Sequence, residues 1–114
     1  MAIVIAGFLK VPEDKLDYLL QAGRELVLAS RAEPGCIAYV WSSISAEPGI
    51  IQVHEHWQDE ASLAAHFAGP AYLGTLKLLA ETCEIEADFN KFRVDAIEAI
   101  FDDEGNPRAD FFTA

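Results

Sequence analysis

The stretch His54-Glu55-His56-Trp57 holds the densest set of groups able to do chemistry. In an extended chain Ile51, Val53, Glu55 and Trp57 point one way, while Ile50, Gln52, His54 and His56 point the other. Glu55 then stands among apolar neighbours and a tryptophan. A carboxylate in that setting must find a hydrogen-bond partner, bind a ligand group or stay protonated. Nearby backbone or an arginine would satisfy it equally well, with no functional role. His54 and His56 have metal-chelating spacing, but a catalytic metal normally takes three protein ligands. Glu55 faces away from the pair, and the remaining histidine, His66, belongs to a different element. No metal is therefore assigned, and polar edge or interface positions are expected for the two imidazoles.

His66 falls three residues after Leu63 and four before Pro70, beside the stripe that should cover a sheet. Half inside an apolar cleft it could act as a base; it could also be a packed, hydrogen-bonded core residue. Trp57 and Tyr72 read equally as aromatic core. Cys36 and Cys83 are too few and too far apart for a disulfide scaffold or a zinc site, and are expected to be small core residues.

The elements that must position these groups follow from patterning. Residues 3–10 carry β-branched and apolar side chains on both alternating sets, a strand covered on both faces. Pro12 suits a first helical turn, and Leu16, Leu19, Leu20, Gly23 and Val27 form one stripe of a helix to about Arg31. Glu33-Pro34-Gly35-Cys36 and Glu47-Pro48-Gly49-Ile50 each place Pro then Gly at the centre of a type II turn. Between and after them lie strands from Cys36 to about Ile44 and from Ile50 to Trp57, which form a hairpin. Asp59 is a plausible N-cap for a helix carrying Leu63, His66 and Phe67. Gly69-Pro70 breaks or kinks it, and Tyr72, Leu73, Leu76 and Leu79 resume the stripe. A last, weaker strand is expected around Phe92 to Ala99, followed by a polar turn and a tail.

The order β-α-β-β-α-β predicts an α+β, ferredoxin-like fold, a four-stranded antiparallel sheet with both helices on one face. Residues 1–100 are read as the domain and 101–114 as an acidic tail that could contact a partner subunit. An apolar fraction of 52% leaves more apolar surface than one such core hides. The first two strands are apolar on both faces, so a second copy of the sheet is the natural cover. About 800 Å² buried per partner would be a standard interface. A homodimer is expected on these grounds. Nineteen acidic against eight basic residues give a net charge of −11, which repels phosphate backbones and anionic lipid heads. Neither nucleic acid nor membrane is therefore an expected partner. No membrane-spanning run and no signal pattern stand out, so a cytoplasmic location is the default.

Three segments together resemble the antibiotic biosynthesis monooxygenase family of dimeric α+β barrels: Ser30-Arg31-Ala32-Glu33-Pro34-Gly35-Cys36-Ile37-Ala38-Tyr39, Glu55-His56-Trp57, and Ala61-Ser62-Leu63-Ala64-Ala65-His66-Phe67 with Pro70 after it. The resemblance runs from Ile3 to about Leu79. It implies a quinol- or anthrone-type monooxygenase that needs neither flavin nor metal, because an electron-rich aromatic substrate itself reduces dioxygen. By it His66 and Trp57 are the candidate catalytic residues, with Glu55, Phe67, Tyr72 and Phe8 as candidate substrate-binding residues and no cofactor. Heme-degrading members also resemble this chain at Trp57 and His66, but carry an asparagine on the first strand where Gly7 stands here. A non-catalytic dimeric module that binds a small ligand is the third reading.

Overall fold

In the computed structural model, which describes residues 1–113, four strands form one antiparallel sheet. They are β1 (Ala2–Lys10), β2 (Cys36–Ser43), β3 (Ile50–Trp57) and β4 (Glu86–Val94), in the order β2-β3-β1-β4. β1 therefore lies inside the sheet, flanked by β3 and β4, the arrangement expected for β-α-β-β-α-β. Four helices cover one face: α1 (Leu16–Ala22), α2 (Arg24–Arg31), α3 (Glu60–Ala68) and α4 (Pro70–Thr82). Leu19 and Leu79 pack on Leu9, Ile51 and Val53 at one end of that face; Leu63 packs with Ile3, Ile5, Tyr39 and Trp57 at the other.

Both expected turns form. Gly35 and Gly49 have φ of 82° and 91°, and the amides of Cys36 and Ile50 donate to the carbonyls of Glu33 and Glu47 at 3.1 and 3.2 Å. Asp59 caps α3 by accepting from the Ser62 amide at 2.8 Å, and Gly69-Pro70 separates α3 from α4. The first helix is divided at Gly23, although Gly23 N–H still reaches Leu19 O at 2.8 Å. A Cβ at Gly23 would lie 3.0 Å from the Trp41 ring, so glycine lets β2 press its indole against the helix.

Two expectations are corrected, and β2 departs from regular alternation. Strict alternation in β2 fails because Cys36 pairs with Trp57 and Ala38 with His56, a bulge that leaves Ile37 facing solvent. Cys36 thereby joins the helix-covered side with Tyr39 and Trp41. The last strand is Glu86–Val94, earlier than Phe92 to Ala99. As an edge strand it is exposed along nearly all its length, so its polar Glu86, Asp88 and Asn90 hid the alternation. On α4 the inward residues are Ala71, Thr75 and Leu79, whereas Leu73 and Leu76 are exposed.

On the face of the sheet away from the helices Phe8 and Phe92 are 39% and 51% exposed. Beyond Val94 the chain makes a local loop closed by a bridge between Phe101 and Pro107 and by Asp102 Oδ1 accepting from the amides of Glu104 and Asn106. Among the described residues no helix is long and apolar enough to cross a membrane.

Candidate functional site

β3 turns Glu55 and Trp57 to the helix-covered side, two residues apart, so the indole Nε1–H donates to Glu55 Oε1 at 3.0 Å. Trp57 is fully buried and Glu55 is 8% exposed. The cap at Asp59 fixes where α3 begins and hence the direction of its side chains. Leu63 and His66, three apart, both point at the sheet. His66 is 1% exposed, and its ring centroid lies 4.6 Å from that of Trp57, tilted by 33°. Tyr39 and Tyr72 meet the imidazole edge-on at 5.5 and 5.4 Å, and the Phe67 ring stands 5.0 Å from Tyr72.

The imidazole is held between two carboxylates. His66 Nδ1 lies 2.6 Å from Glu33 Oε1, whereas Nε2 is buried with no hydrogen-bond partner, 3.9 Å from Glu55 Oε1. An ionised Glu33 can only accept, so Nδ1 donates to it, and Nε2 is the nitrogen turned toward Glu55. At 3.9 Å that last contact is an approach and not a hydrogen bond. Burial pushes the Glu55 carboxyl above its ordinary range, opposed by the Trp57 hydrogen bond and by the nearby His66 and His54. The Tyr39 phenol is pushed up to about 12, first by burial and then by the charge of Glu55. Burial, and after it Glu33 and Glu55, raise the Cys36 thiol.

A cavity of about 310 Å³ opens beside this array, with Glu55, Tyr39, Trp41, Phe67, Tyr72 and Phe89 among its walls. Most of that wall is apolar, and Glu55 is its one carboxylate. Of the six residues singled out in the sequence, Glu55, Phe67 and Tyr72 line the cavity. His66 and Trp57 stand directly behind Glu55 and are not part of its wall. Phe8 is a correction: it projects from the opposite face of β1, onto a shallow pocket shared with Ile44 and Gln52. Odd-numbered residues of β1 face the helices, and Phe8 is even. His54 and His56 also lie on that other face, away from His66, so the three imidazoles do not converge. A wider groove of about 700 Å³ beside α1, α2 and β2 is walled by Arg24 and Arg31 and has none of the paired groups of the site.

Glu33 was missed as a site residue. In the sequence it is one member of a turn, separated by 33 positions from its imidazole partner. Only the fold brings the turn beneath α3, where a Cβ at Gly35 would strike Ser62. Gly7 has a physical explanation as well. Its register partner is Phe89, and a Cβ at Gly7 would come within 2.6 Å of the Phe89 ring and run into the Asp88 carbonyl oxygen. Phe89 thus fills the space into which a longer side chain at position 7 would project.

Comparison with known proteins agrees with this architecture. The family model described as antibiotic biosynthesis monooxygenase matches residues 1–78, and the chain belongs to that family. An uncharacterized protein of Synechocystis is 33% identical over 88 residues, covering 74% of this chain and 60% of that protein. The chain therefore spans less than two thirds of that relative's length. Among solved structures, one described as an antibiotic biosynthesis monooxygenase is 28% identical, with a TM-score of 0.71 over 86% of this chain and all of the other. A conserved protein from Methanosarcina mazei is 27% identical, with a TM-score of 0.74 over 82% of this chain and 92% of the other.

Proposed function

We propose that this protein is a cofactor-independent monooxygenase that oxidises a small, flat, hydroxylated aromatic of the quinol or anthrone type with dioxygen. The observation that carries this reading is a buried carboxylate, Glu55, as the one carboxylate on a mainly apolar and aromatic cavity wall. A desolvated carboxylate whose pKa is raised is a stronger base toward a phenolic proton than an ordinary one. The burial of His66 and the exposure of Glu55 to the cavity support Glu55 as the group that meets substrate, with the Trp57 N–H orienting it and His66 standing behind it.

Glu55 takes the phenolic proton, and the resulting anion passes one electron to dioxygen, forming superoxide and a substrate radical. The two combine through a new C–O bond. The peroxide is protonated by Glu55-H, and loss of the remaining C–H proton with cleavage of the O–O bond releases water and leaves a carbonyl. One molecule of dioxygen and the substrate's own two hydrogens account for the carbonyl and the water, so no external reductant enters. The apolar walls hold the ring against Phe67 and Tyr72 and keep bulk water from the radical pair.

Oxygen uptake by the purified protein over a panel of hydroquinones and anthrones tests this. Uptake equal to product formed is expected, with Glu55→Gln slower by roughly 10² to 10⁴. No uptake on any member by a folded protein would favour a non-catalytic ligand-binding module. The heme-degrading alternative is disfavoured by Phe89 lying over Gly7. We further propose a cytoplasmic homodimer joined through the sheet face away from the helices, where Val4, Phe8, Val40 and Phe92 lie. A monomer in light scattering at micromolar concentration would count against it.

A further inference from the structure

We infer that Glu33, His66 and Glu55 form a proton relay between the cavity and bulk water, with Glu33 as its outer terminus. The inference rests on the reading of Glu55 as the base that meets substrate. Its three members run from the cavity to the surface. Glu55 is on the cavity wall, His66 is sealed from water, and the Glu33 side chain is 21% exposed on the far side of the ring. The imidazole has the connectivity a relay needs. One nitrogen is hydrogen-bonded at 2.6 Å to an outer carboxylate, and the other is buried, unpartnered and 3.9 Å from the inner one.

A buried Nε2 without a partner is costly in a site built only to be stable. Its position is accounted for if it accepts a proton from Glu55-H once a small side-chain rotation closes the gap. The step breaks the O–H bond of Glu55 and forms N–H at Nε2, while the Nδ1 hydrogen moves to Glu33 Oε1 and from there to water. In reverse the same path returns a proton to Glu55 for the peroxide, so the relay adds no net proton and needs no oxidant or reductant. Glu33 never touches substrate; it acts through His66. The Pro34-Gly35 turn holds it in place, and at Gly69 a Cβ would sit 3.1 Å from Glu33 Oε2, so glycine there leaves the carboxylate its room.

The test compares Glu33→Gln with Glu33→Ala. The Gln amide oxygen can still accept from Nδ1–H and hold the ring, but it cannot carry the proton. With substrate turned over by the wild type, both variants are expected to lose about tenfold or more in kcat with KM within about twofold. Added formate should restore the rate of Glu33→Ala in proportion to its concentration and leave Glu33→Gln unchanged. Wild-type kcat in Glu33→Gln, or a slow Glu33→Ala that formate does not rescue, would overturn the relay and leave Glu33 a purely positional residue. If the wild type oxidises nothing, the monooxygenase reading fails, and the relay is decided by nitrogen-15 NMR of His66. An Nδ1-protonated ring whose N–H exchanges with water more slowly in Glu33→Gln supports it. An Nε2-protonated ring, or exchange indifferent to the substitution, refutes it.

Discussion

Trp57→Phe probes the centre of the site, because among the described residues the indole N–H is the one hydrogen-bond donor to the Glu55 carboxyl. Phenylalanine keeps an aromatic ring in a fully buried position and removes that donor. A hydrogen bond to a charged acceptor contributes about 1.5–3 kcal/mol, and one between neutral groups about 1. Trimming the buried indole adds about 1 kcal/mol through lost contacts and a small void. The expected loss is therefore about 2 kcal/mol where Glu55 is protonated and about 2.5–4 where it is ionised. The sign follows from the titration. Burial raises the folded-state pKa of Glu55, and the Trp57 bond partly opposes that rise. Without the bond the folded carboxyl binds its proton still more tightly than the unfolded one. The variant's stability then falls more steeply than the wild type's as pH rises through the titration of Glu55. Urea unfolding at several pH values between about pH 5 and pH 8 measures the gap, which at the upper end corresponds to a Tm drop of at least about 10 °C. A gap independent of pH would show that the indole does not distinguish the two states of Glu55, and the account of the site's electrostatics would fail with it.

Glu55→Gln should be more stable than the wild type at neutral pH. The folded pKa of Glu55 is raised, so the wild type loses stability as pH climbs above the ordinary carboxylate value, whereas the amide does not titrate. The advantage should vanish in acid below that value, and equal Tm values at neutral pH would contradict it. Gly35→Ala and Gly105→Ala form a matched pair, since both glycines have φ near 80° but only the first would press a Cβ into Ser62. Gly105→Ala should cost about 1 kcal/mol and Gly35→Ala about 2–4, read by thermal melts. Equal costs would show that the turn does not brace α3.

Much of the scaffold was written in local chemistry. Pro-Gly at 34–35 and 48–49 fixed two type II turns, Asp59 fixed the start of α3, and alternation in β3 put Glu55 and Trp57 on one buried face. Each depends on φ preferences or on a two-residue period, properties that need no distant partner. The bulge at Ile37, the early edge strand Glu86–Val94 and the inward row Ala71-Thr75-Leu79 were not legible, because each is chosen by the fit between elements and not within one. The same division runs through the site. That His66 carries polar chemistry among apolar residues was visible from its neighbours. That it sits behind Glu55 and not on the cavity wall, that Glu33 holds its far nitrogen, and that Phe8 faces the other way were set by how α3 and the 33–36 turn meet over the sheet. Local sequence determines which way a side chain leaves its own backbone; what that side chain meets depends on the packing of elements separated by tens of residues, and hydrogen bonding between Glu33 and His66 exists only once that packing is complete.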